Sequence, residues 1–83
     1  MADARLKLPD DLAGLTRSEW EKIISEARYS RIDREIVRLH ILEGLAQVDT
    51  ATELDRVRMT VSRRLHKVIY PRAREVAQKL HIL

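Results

Sequence analysis

QVDTATELDRVRMTVSRRLHKVIY, residues 47–70, holds two short apolar patterns separated by a break. Ala51 falls where one helix must be thin for another to cross close over it. Leu54 and Val61 fall where apolar side chains would plug the angle between the two. Leu65 and Val68 follow Val61 at spacings of four and three, which marks the buried face of the second helix. Between those positions the second helix presents Arg58, Met59, Thr60, Ser62, Arg63, His66 and Lys67 outward. The pattern is that of a helix-turn-helix. Its outer face carries cations suited to phosphates, with bidentate and hydroxyl donors suited to base edges in a major groove.

Charge separates this unit from an ordinary helical hairpin. Arg56, Arg58, Arg63, Arg64, Lys67, Arg72 and Arg74 are basic, and no Asp or Glu lies between the first and the last of them. Those seven leave nine of the sixteen basic residues against all thirteen acidic ones, so the rest of the chain carries −4 and the overall +3 conceals a polarised molecule. A basic run alone is usually a solvated face. Its coincidence with the second helix of a bihelical unit is what points to nucleic acid.

The same residues resemble the DNA-binding segment of the TrfB/KorA family of plasmid transcriptional repressors. The resemblance rests on Gln47, Ala51, Leu54, Val61-Ser62 and His66-Lys67-Val68, together with Leu15-Thr16 followed by Trp20, and spans residues 15–70. It implies a transcriptional repressor, plasmid- or mobile-element-borne, that acts as a homodimer on a palindromic operator. The chain departs from the family in the turn, where Asp55-Arg56 stands in place of Gly-Leu. Asp tolerates a left-handed backbone better than most residues with a Cβ, and Val57 is expected to take the apolar turn position that Arg56 cannot fill. Residues 71–83 are also shorter than the family's dimerisation region.

Length and composition bound the remainder. Eighty-three residues make one small domain, near the size at which a single core just suffices. Two Gly, two Pro and no Phe favour helices with short connections over a sheet. The absence of Cys removes disulfides and thiolate metal sites. With no apolar run near the roughly 20 residues of a membrane span and no signal-peptide core, a soluble cytoplasmic protein is expected. No catalytic residue, metal, cofactor or small-molecule substrate is expected either. His40, His66 and His81 are dispersed, the two glycines are too far apart for a phosphate loop, and Ser62 has no acid-base partner.

Taken in order, residues 1–14 read as a flexible arm interrupted at Pro9, with Arg5 and Lys7 able to reach a minor groove. Thr16-Arg17-Ser18-Glu19 is a capping box, and the helix it opens buries Trp20, Ile23, Ile24 and Ala27. Ser30 opens a second helix with Asp33 in its first turn, a broad seam through Ile32, Ile36, Leu39 and Leu42, and Gly44 as its stop. His40 reads as a half-buried surface residue. The third helix is expected from about Thr50, capped by Asp49 or Thr50, and the recognition helix from about Arg58 to Ile69. Pro71 is expected to force Tyr70 out of helical geometry or kink the chain. Beyond it Ile69, Ala73, Val76, Leu80 and Leu83 form a short heptad-like seam, for a dimer contact or for packing on the protein's own core.

The expectation is therefore an all-α domain of five helices: an arm at 1–14, a helix-turn-helix domain at 15–70, and a C-terminal dimerisation helix at 71–83. Arg58, Thr60, Ser62, Arg63 and His66 are the expected base readers. Thr50, Arg56, Arg64, Lys67 and Arg72 are the expected phosphate contacts. The partners are double-stranded DNA and a second copy of the chain. Two other readings remain, a helical interaction module for an acidic protein and an RNA-binding regulator. Few aromatics are present for base stacking, which counts against the latter.

Overall fold

A computed structural model describes residues 8–83, and these are helical with no strand among them. The helices are α1 (Asp10–Ala13), α2 (Arg17–Ala27), α3 (Arg31–Ile36), α4 (Gln47–Glu53), α5 (Arg58–Arg64) and α6 (Tyr70–Lys79). A π-helical stretch, Val37–Leu42, prolongs α3, and another, Leu65–Ile69, carries α5 into α6 without a break. Five helical bodies result. Among the described residues no helix is long and apolar enough to cross a membrane.

Local sequence sets several boundaries as expected. The Thr16 amide donates to Glu19 Oε1 at 2.9 Å and the Glu19 amide donates to Thr16 Oγ1 at 3.1 Å, so the capping box forms. Ser30 accepts from the Asp33 amide at 3.3 Å to open α3, and Gly44, at φ 79°, closes its π-helical end. Pro9 opens α1 rather than interrupting a helix, and Leu12 on α1 is fully buried. Asp11 reaches α6, accepting from Arg74 Nε at 2.6 Å, and this hydrogen bond holds its carboxyl below the usual range. Arg5 and Lys7 lie outside the described residues. α4 begins earlier than expected, at Gln47, with Ala46 in the capping position and no side-chain cap from Asp49 or Thr50.

Pro71 does not break the chain path. Tyr70 keeps helical dihedrals (φ −65°, ψ −46°), and its amide bonds back five residues to the Leu65 carbonyl. A proline ring clashes with the carbonyl four residues earlier in a tight α-turn. The wider π-turn just before Pro71 leaves room for the ring, so one rod runs from Arg58 to Lys79. Two contacts tie the rod's middle to the end of α2. Tyr29 Oη donates to the Ile69 carbonyl at 2.8 Å, and Arg72 Nε donates to the Ala27 carbonyl at 3.0 Å. The second fills an orphan acceptor at a helix C-terminus with a cation, where the macrodipole favours one. The rod ends at Lys79. There His81 (φ 60°) turns the chain, and the Ile82 amide donates to the Ala77 carbonyl at 2.8 Å.

The core joins α2 to α6 and the helix-turn-helix to α3. Trp20, Ile23, Ala27, Tyr29, Ile36 and Val37 meet Val61, Leu65, Ile69, Tyr70, Ala73 and Val76 in one buried cluster. Burying each large apolar side chain contributes roughly 1.5–3 kcal/mol. This corrects the dimer reading of the C-terminal seam. Ile69 and Ala73 are wholly buried and Val76 is 2% exposed within the chain's own core, where α2 packs against α6 and α3 against the stretch that holds Ile69. Of the five seam residues only Leu80, half-buried, and Leu83, 47% exposed, are accessible. His40 is likewise deeper than expected. It is 1% exposed, its Nδ1–H donates to the Leu45 carbonyl at 2.6 Å, and burial holds its pKa below the ordinary value.

Candidate nucleic-acid interface

The turn between α4 and α5 is built by backbone hydrogen bonding around Asp55. Its φ of 57° lies in the left-handed region, which Asp tolerates better than most residues with a Cβ. The Asp55 amide donates to the Thr52 carbonyl at 3.2 Å and the Arg56 amide to the Ala51 carbonyl at 2.8 Å, a Schellman closure. Ala51 is 3% exposed at this crossing, and Val61 is fully buried beneath it. Val57 does not fill an apolar turn position. It caps α5 in an extended conformation and is 67% exposed.

From Arg58 onward the rod shows four rows at the i, i+4 spacing. Val61, Leu65 and Ile69 are buried. Thr60, Arg64 and Val68 are half-buried beside them. Arg58, Ser62 and His66 form an outward row with only Ser62 half-buried, and Met59, Arg63 and Lys67 form another that is exposed throughout. Thus four of the five expected base readers share one contiguous outer face with Lys67, while Thr60 sits on its flank. The His66 ring stands edge-on to Tyr70, with centroids 5.4 Å apart and planes at 82°, which orients an otherwise exposed imidazole.

The seven cations do not act as one patch. Arg64 donates from Nε to Asp33 Oδ1 at 2.8 Å and from Nη2 to Asp33 Oδ2 at 2.6 Å. Asp33 is 1% exposed, so its carboxylate depends on this bidentate partner. Arg64 therefore braces α5 against α3, which sets it apart from the free cations expected to reach phosphates. Arg72 is likewise engaged, with the Ala27 carbonyl and with Glu75 at 2.9 Å. Arg74 belongs to Asp11. Thr50 is fully buried, and its hydroxyl donates back to the Ala46 carbonyl at 2.9 Å, which removes it from the phosphate set. Arg56, Arg58, Arg63 and Lys67 are exposed and have no carboxylate within ion-pairing distance among the described residues.

Asp33 was missed as a component of this site, since sequence placed it only as a first-turn helix charge. The one signal was that it lies on the helix packed beneath a run that contains no acid of its own. The exposure of Val57, expected in the apolar turn position, is not read from sequence, whereas Met59 faces outward as expected. Comparison with known proteins adds no assignment: no family model, curated protein or solved structure matches the chain.

Proposed function

We propose that the chain is a sequence-specific, double-stranded DNA-binding transcriptional repressor that reads the major groove with α5. The observation that carries this reading is the sorting of cations. Three of the seven are consumed in tying helices together, and the four left over lie at the turn or on the outer face of a braced helix. An unpaired guanidinium on a rigid helix is suited to a bidentate contact with guanine O6 and N7. Arg58, Ser62, Arg63 and His66 are the base readers, and Arg56 and Lys67 hold phosphates and set register. Four or so reading side chains specify few base pairs against a genome of competing sites. Two copies on half-sites about one helical turn apart would supply the rest. Repression would then be steric, by occupation of promoter sequence.

Two substitutions separate the roles. Arg63→Ala is expected to weaken binding to the preferred duplex by roughly 1–3 kcal/mol and to relax preference at one base pair. Lys67→Ala is expected to weaken all sequences alike and to lower the salt slope by about one. Titrations at several salt concentrations measure both. Wild-type affinity and slope in both variants would contradict the reading.

A further inference from the structure

Few large apolar side chains among the described residues are strongly exposed, and they are Val48, Val57, Met59 and Leu83. Val57 and Met59, each 67% exposed, sit on either side of Arg58 at the leading end of α5. Met59 also heads the fully exposed row that continues through Arg63 and Lys67. A single exposed apolar residue is ordinary. Two that bracket an arginine unpaired among the described residues, at the end of a helix whose other outward residues are cations and hydrogen-bonding groups, suit an occupant that is anionic and also presents isolated apolar groups. The major groove is such a surface, because thymine places a 5-methyl among the acceptors of neighbouring base pairs. The protein's own packing does not claim these side chains, which stay 67% exposed while Val61 and Leu65 of the same rod are fully buried in the core.

Resting on the DNA-binding reading, we infer that Val57 and Met59 are specificity-determining residues that pack against thymine 5-methyl groups at base pairs flanking the one contacted by Arg58. The preferred half-site therefore contains thymine at positions where its methyl, rather than its Watson–Crick identity, is what is read. Uracil pairs as thymine does and lacks only that methyl.

The test uses the duplex that the full chain enriches from a random pool, with each thymine replaced in turn by deoxyuridine. At one or two positions per half-site the dissociation constant should rise about three- to five-fold, the loss expected for one buried methyl. Met59→Ala or Val57→Ala should bind the thymine and uracil duplexes equally at the corresponding position. Leu83→Ala, at the far end of the molecule, should keep the discrimination. Equal affinity for thymine and uracil at every position, with sequence preference intact, overturns this inference and leaves the DNA-binding reading standing. Discrimination that survives both Val57→Ala and Met59→Ala overturns the residue assignment. Failure to enrich any duplex overturns the inference together with the reading it rests on.

Discussion

Arg64 and Asp33 are the residues at which the pair's two halves are least equal. Asp33 is 1% exposed, whereas the Arg64 side chain keeps 37% of its surface. Removing the arginine leaves a buried carboxylate without a counter-charge. Removing the carboxylate leaves a guanidinium that still reaches water. Arg64→Ala should therefore cost about 3 kcal/mol, the low end for a broken buried pair because one partner is partly hydrated. Asp33→Asn should cost only about 1–2 kcal/mol. Urea denaturation measures both, and equal losses or the reverse order would contradict the assignment of Arg64 as a brace. Residue-scale legibility depended on distance along the chain. The Thr16 and Glu19 cap and the left-handed backbone at Asp55 were readable because their partners lie within a few residues. The Arg64 partner is 31 positions away, beyond the reach of any local pattern.

At the scale of elements, apolar periodicity located α2, α3 and α5 well, and the four rows of α5 follow from it. It could not say what covers a row. The seam through Ile69, Ala73 and Val76 has the spacing of a dimer contact, yet the chain's own core occupies it. Nor does a proline in sequence reveal the turn that precedes it. With Leu65–Ile69 wound as a π-helix, Pro71 lies inside a continuous rod that lacks one backbone donor. Pro71→Ala should therefore raise stability, by about 1 kcal/mol or more, since alanine restores a helical amide and has the higher propensity. A helix that truly ended at Tyr70 would gain nothing from the change. Thermal unfolding followed by circular dichroism decides, and a lower midpoint for the variant would contradict the continuous rod.

The whole molecule is organised by how its charge is divided. Read as sequence, Arg56 to Arg74 is one basic block of +7. Folding spends part of it on architecture: Arg64 holds α5 to α3, Arg72 holds the rod to α2, and Arg74 holds α6 to α1. What remains is a smaller set of cations with hydroxyl, imidazole and apolar neighbours, placed on a helix that those braces keep from shifting. The all-helical architecture was readable from composition and periodicity. The division of the block was not, because it depends on which acids the fold brings beneath it. The central claim is that this braced outer face selects a DNA sequence, and the most direct measurement is enrichment from a random duplex pool by the full chain at physiological salt. A two-fold symmetric motif with half-sites about one helical turn apart is expected. Recovery of the pool with no sequence preferred over another would contradict the claim.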